Sequence, residues 1–199
     1  MARRRGQHHG DLRRALLDAA LALVAETSPE ALSLRAVARR AGVTAAAPYH
    51  HFQDKTTLLA TVACEGFESL MRAQATIEAP DGAALLREMA SVYVRFALEH
   101  PTHYAVMFRV SPEEVPEVAS VPLKETAMRA FGNLMAAFAA ANPTLPPEEV
   151  RRRALLGWAQ AHGAVQVVQW ADALDPSFDP DTFAAGVGEA VLQLAMASL

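Results

Sequence analysis

At 199 residues, 52% of them hydrophobic, with a mean hydropathy of +0.10, the chain is long enough to bury a substantial core in one or two domains. Its single cysteine, Cys64, excludes an internal disulfide framework and suits a reducing compartment. No stretch reaches the roughly 18 uncharged apolar residues that a membrane span needs, and the net charge of -4 argues against a chain that is basic throughout.

The first ten residues, MARRRGQHHG, are basic, but Asp11, Arg13, Arg14 and Asp18 interrupt any signal-type apolar run, so a cytoplasmic protein is expected. Residues 1–9 read as a flexible basic tail, with an arm that reaches DNA as the alternative. Leu12, Leu16, Ala19, Ala20 and Leu23 recur at helical spacing, Ser28 and Pro29 end that helix, and Ser33 caps the next. A long helix is expected from Lys55 into the mid-70s, stopped by Pro80-Asp81-Gly82. Asp81 starts another through about Glu99, and a short one follows from Pro101 to Arg109. The three prolines between Ser111 and Pro122 read as a loop before a helix that ends near Ala141. Beyond Asn142–Pro147, helices are expected at about 147–172 and 179–198. Helical periodicity throughout, without strand alternation, predicts an all-α fold of about nine helices.

Residues 32–59, LSLRAVARRAGVTAAAPYHHFQDKTTLL, have the pattern of a helix-turn-helix. Ala38 and Gly42 are small where two helices would cross closely, and Gly42 also suits the left-handed conformation that ends a helix. Val43 plugs the corner, and Thr44 is a good N-cap for the helix that follows. Charge agrees with this placement. Residues 1–60 hold nine Lys and Arg against five Asp and Glu, a net of +4, whereas residues 61–199 hold nine against seventeen, a net of -8. Phosphate affinity depends on local positive charge, so a basic first third can bind DNA while the acidic remainder aids solubility.

These residues resemble the TetR family of bacterial transcriptional regulators. The N-terminal likeness rests on Leu34, Ala38, Ala41-Gly42-Val43, Tyr49, His51-Phe52, Lys55 and Leu58-Leu59. The form AAAPYHHF, with His100-Pro101, Tyr104, Met107-Phe108, Trp158 and His162-Gly163, is similar to the subset with a WHG-type C-terminal domain. The resemblance implies a homodimeric switch, usually a repressor, with a DNA-binding domain at residues 10–56 and an effector-binding and dimerisation domain at 57–199. It implies double-stranded operator DNA and a small molecule as partners, with no cofactor.

Thr44 is placed to put its hydroxyl or N–H on a phosphate, and Ala45, Ala46 and Ala47 lie where base edges would be reached. An alanine side chain makes no hydrogen bond to a base, so readout is expected to use thymine methyl contacts, His50, backbone approach and DNA shape. Pro48 should make the reading helix short and stiff. Tyr49 and Lys55 are phosphate contacts by the resemblance, with packing at the domain edge as the other reading of Tyr49. Ser33 and Arg35 add one phosphate and one groove contact, whereas Arg39 and Arg40 read as a solvated face.

Tyr104 and Phe108 fall four apart on one helix, and Trp158 and His162 four apart on another, so each pair shares a face. With His103 and Gln166 they are candidates to line an apolar or aromatic effector site, and a packed core with hydrogen-bonded Trp158 and His162 is the alternative. Gly157, Ala161, Ala164, Val165 and Val168, with Ala184, Val187, Gly188, Val191 and Leu194, form the expected two-helix dimer face. Adjacent histidines in a loop lack metal-ligand spacing, so no metal site is expected. Neither a G-x-S-x-G, a P-loop nor an H-E-x-x-H sequence occurs, which argues against an enzyme. A helical protein-interaction module is the competing class, and salt-dependent DNA binding would exclude it.

Overall fold

The computed structural model describes residues 5–168 and 170–197. Among these the secondary structure is helical: α1 (Arg5–Glu26), α2 (Leu34–Arg40), a 3-10 turn (Ala47–His50), α3 (Lys55–Ala75), α4 (Gly82–Glu99), α5 (Pro101–Arg109), α6 (Glu117–Ala141), α7 (Pro147–Val168), α8 (Ala171–Leu174) and α9 (Pro180–Met196). The fold is all-α with an N-terminal helix-turn-helix, as the periodicity predicts. Two helix starts follow the expected chemistry closely. The Asp81 carboxylate accepts from the Ala84 N–H at 2.8 Å, and that of Asp179 from the Thr182 N–H at 2.8 Å, each satisfying a donor without an intrahelical partner.

Other bounds differ from the expectation. Residues 5–9, assigned to a flexible tail, belong to α1, while residues 1–4 lie outside the described residues. Helix α6 begins at Glu117, so Pro122 lies within it rather than in the preceding loop. The proline forfeits one hydrogen bond in the second turn, which a helix of 25 residues tolerates. The expected helix at 147–172 ends at Val168, with α8 as a separate short turn of helix.

The chain divides into two compact units. The first comprises residues 1–66 and 102–126, and the second residues 67–101 and 127–199. In the first, α1 packs on α2 and α2 on the 3-10 turn around Leu16, Leu17, Val37, Phe52, Leu58, Val62 and Val106. In the second, α4, α7 and α9 pack mutually around Leu86, Val94, Phe138 and Val191.

Small residues set the spacing inside the second unit. A Cβ on Gly157 would lie 2.7 Å from the Phe138 ring and 3.2 Å from Val191, and one on Gly188 would collide with the Ser91 hydroxyl and the Arg87 carbonyl. Gly157, Ala161, Ala184, Val187, Gly188 and Val191, expected at a dimer face, are therefore buried against their own chain. The small side chains bring α4, α7 and α9 of one molecule together. Ala164, Val165, Val168 and Leu194 are half-buried. The same unit is tied off by Arg153, which is 3% exposed. Its Nη1 donates to the carbonyls of Leu194, Ala195 and Ala197 at 2.9–3.0 Å, and its Nε donates to Glu149 at 2.5 Å. A cation thereby closes the carbonyl end of α9.

Candidate nucleic-acid interface and effector residues

The first unit presents Thr44, Ala45, Ala46, Tyr49 and His50 to solvent beyond a corner with a defined backbone. Ser33 caps α2 by accepting from the Ala36 N–H at 3.2 Å, and α2 ends at Arg40, with Ala41 as its C-cap and Gly42 next, whose φ of +70° is the one positive value among the described residues. An added Cβ at Gly42 would meet nothing within 4 Å, so the backbone conformation, and not close helix crossing, requires glycine here. Ala38 is buried and does serve the crossing. The Val43 N–H then donates to the Ala38 carbonyl at 3.0 Å and holds the corner.

The expected recognition helix from Thr44 is instead a turn followed by the 3-10 segment Ala47–His50. Its N-cap is Ala46, whose side chain cannot cap, and the Thr44 contribution is its carbonyl, which accepts from the Ala47 N–H at 3.0 Å. Pro48 is buried at the start of the segment and lacks a donor, so a regular helix is not propagated; its carbonyl accepts from both His51 and Phe52. Thr44, Ala45, Ala46, Tyr49 and His50 are exposed, and Ala47 is half-buried. Tyr49 is 55% exposed.

Lys55 is half-buried, and its Nζ donates to the Glu30 carbonyl at 2.8 Å. The start of α3 is less open to an anion than the helix dipole suggests, because Asp54 already occupies it. The Asp54 carboxylate accepts from the Thr57 N–H at 2.7 Å and the Thr56 hydroxyl at 2.8 Å. Partial burial pushes its pKa up, but these bonds outweigh that effect and hold it below the ordinary value. The Glu30 carboxyl, accepting from Arg109, its own backbone N–H and Ser28, is lowered to about 2.

The effector candidates separate by unit. His103, Tyr104 and Phe108 belong to the first, where the Tyr104 and Phe108 rings meet edge-on at 5.0 Å. Trp158, His162 and Gln166 belong to the second. There Trp158 Nε1 donates to the Tyr93 hydroxyl at 3.3 Å, and that hydroxyl lies 3.1 Å from His162 Nδ1. Phe131 flanks Trp158 with ring centres 6.5 Å apart. Tyr93 and Phe131 were not among the sequence candidates. Burial lowers the pKa of His162, favouring the neutral ring that accepts from Tyr93. Trp158 is 37% exposed and Gln166 is exposed. Gly163 borders open space and does not line a filled interior. Among the described residues, no His, Cys, Asp and Glu side chains gather where they could hold a metal ion, and no helix is long and apolar enough to cross a membrane.

Two family models match the chain. One, described as bacterial regulatory proteins of the tetR family, covers residues 16–62; the other, a tetracyclin repressor-like C-terminal domain, covers residues 86–190. Among solved structures, a protein of unknown function from a Rhodococcus species is 28% identical, with a TM-score of 0.75 over 96% of this chain and 98% of that one. The TetR family transcriptional regulator PfmR from Thermus thermophilus is 19% identical (TM-score 0.69, 89% and 97% covered). The fatty acid degradation regulator FadR from Bacillus halodurans is 15% identical (TM-score 0.67, 91% and 94% covered). At these last two identities the likeness is one of fold.

Proposed function

The chain belongs to the tetR family of bacterial regulatory proteins and is a transcriptional regulator with a DNA-binding fold, and from that premise we propose that it is a cytoplasmic, non-enzymatic repressor. It binds a palindromic operator as a homodimer and is released by a small apolar or aromatic effector, with no cofactor. The observation that carries this reading is the segment Thr44–His50 after the Gly42 corner, which leaves Thr44, Ala45, Ala46, Tyr49 and His50 in solvent.

On DNA, Ser33, Thr44, Tyr49 and Lys55 serve the backbone, Arg35 reaches into a groove, and Ala45, Ala46, Ala47 and His50 face the bases. The Ser33 hydroxyl, accepting from Ala36, still has a proton to donate to a phosphate. The Lys55 ammonium spends one of its three N–H donors on the Glu30 carbonyl and has two left for a phosphate oxygen. Two heads of a dimer read successive half-sites only when spaced by about 34–36 Å or a multiple of it.

Residues 57–199 supply effector binding and dimerisation. In the second unit, Trp158 gains Tyr93 and Phe131 as neighbours and His162 gains Tyr93, in chemistry suited to a flat apolar body with one polar group, and Gln166 is a further candidate on α7. His103, Tyr104 and Phe108 are effector candidates on α5. For the homodimer, support comes from the apolar side chains left in solvent on α7 and just after it, Leu155, Leu156, Val167 and Trp170. An effector that prefers a differently spaced dimer weakens DNA binding by that preference, and DNA weakens effector binding equally.

The test is selection of genomic DNA fragments by the purified protein at two salt concentrations, read by sequencing. A short palindrome recovered by the wild type and lost in a Tyr49→Phe, Lys55→Ala double variant is the expected result. Recovery of no site at low salt would overturn the reading.

A further inference from the structure

The basic residues of the first unit fall into two groups according to what their charges meet. Arg14 pairs with Asp18 and Glu65, Arg40 with Glu26, and Arg109 with Glu30. Arg13 lies over the Phe52 ring at 5.6 Å. On α2, by contrast, Arg35 and Arg39 are exposed and form no ion pair among the described residues. They are four residues apart, so they share one solvent-facing side of the helix, flanking the buried face of Leu34, Val37 and Ala38. Two cations at that spacing repel, and no ion pair offsets them among the described residues. Arg40, one residue on, is turned by about 100° from Arg39 and reaches Glu26 on α1, with one hydrogen bond at 3.0 Å.

We propose that Arg39 is a DNA phosphate contact, acting with Arg35 on the outer face of α2, and that Arg40 is not. The proposal rests on the DNA-binding reading and adds to it a residue that the sequence pattern assigned to solvent. The helix preceding the reading element of a helix-turn-helix crosses the sugar-phosphate backbone, which is where an unneutralised pair of guanidiniums is best placed. Arg40, already held by a carboxylate, would have to give up that partner before it released any counterion. The two neighbours in sequence thereby have opposite roles.

The experiment is fluorescence anisotropy of the full chain on a mixed-sequence duplex between about 50 and 200 mM salt. Wild type, Arg39→Gln, Arg39→Lys and Arg40→Gln are compared, with thermal melts to establish that each is folded. The expected result is a log–log salt slope shallower by about 0.9 for each phosphate contact that Arg39→Gln removes. Arg39→Lys keeps most of the slope, because the charge remains, and Arg40→Gln keeps all of it. Equal slopes for wild type and Arg39→Gln, or equal losses in Arg39→Gln and Arg40→Gln, overturn the assignment. A wild type with no salt-dependent binding overturns the DNA reading itself, an outcome distinct from a wild-type slope that Arg39→Gln leaves unchanged.

Discussion

The Tyr93 hydroxyl lies 3.1 Å from His162 Nδ1 and also accepts from Trp158 Nε1 at 3.3 Å, so one oxygen on α4 links two residues of α7. The Tyr93 hydroxyl can donate its own proton to His162 Nδ1 when that ring is neutral with its proton on Nε2. A neutral ring is also what burial favours. The folded pKa lies below the ordinary 6.5, so between the two values the unfolded chain binds more protons. The contribution of His162 is therefore fully present above about pH 6.5 and is lost as pH falls from there through the lower folded value. Melting temperatures at pH 8 and pH 5.5 should fall further in the wild type than in His162→Gln; equal falls would show that His162 is not the titrating group. Tyr93→Phe should cost about 1 kcal/mol at the higher pH, measured by urea unfolding.

Glycines that look alike in sequence should respond in opposite ways to alanine. At Gly188 the new methyl meets the Ser91 hydroxyl and the Arg87 backbone, neither of which is the far end of a flexible side chain. The expected cost of Gly188→Ala is about 1–3 kcal/mol. At Gly132, on α6, nothing lies within 4 Å, and Gly132→Ala should stabilise by roughly 0.5–1 kcal/mol through the lower backbone entropy of the unfolded chain. Chemical denaturation of the two variants checks both signs.

That contrast bears on what the sequence could tell. Periodicity and capping residues place Asp81, Pro101 and Asp179 at real helix boundaries, because those signals are local. Small residues on α7 and α9 announce a close approach but not the identity of the neighbour, and here α4 and the α7–α9 contact within one molecule claim Gly157, Gly188 and Val191. Tyr93 is 69 residues from His162 and sits in an apolar helical run, where no local pattern marks it as a hydrogen-bonding partner. The reading element was legible as a motif, yet its 3-10 geometry depends on how Pro48 is buried and on the bonds its carbonyl accepts. Lys55 likewise shows its charge in the sequence, while its bond to the Glu30 carbonyl is a product of the fold.

Arg153 should be among the most sensitive positions of the second unit. It is buried, and replacing it with Met leaves three carbonyls at the end of α9 without their donor and the Glu149 carboxylate without its buried partner. A loss of about 3 kcal/mol or more is expected, because three carbonyls at the end of α9 lose their charged donor, while Glu149 keeps Arg152. The pair also sets an acid response. Hydrogen bonds from Arg152 and then Arg153 hold the Glu149 carboxyl at about 2. A lowered carboxylate contributes stability above its ordinary value near 4.5, and that contribution is lost as pH falls toward about 2. In Arg153→Met the acid transition should shift to higher pH, as followed by far-ultraviolet circular dichroism; an unchanged transition would remove Arg153 from the account.

The exposed alanines of the reading turn lead to a prediction about the DNA rather than the protein. Ala45, Ala46 and Ala47 carry no hydrogen-bonding side-chain group, so a sequence preference at the bases they cover must come from apolar contact or from shape. The thymine methyl is the one apolar group on a major-groove edge. Deoxyuridine in place of thymidine removes that methyl and leaves the hydrogen-bonding pattern intact. Burial of one methyl contributes about 0.8 kcal/mol, so each contacted thymine replaced should weaken binding by about fourfold. Single replacements across the selected operator, read by competition anisotropy, should therefore show losses at a few positions in each half-site. In Ala46→Gly the penalty should shrink at the thymine that this side chain covers. Uniform binding across all replacements would leave shape and His50 as the source of the preference.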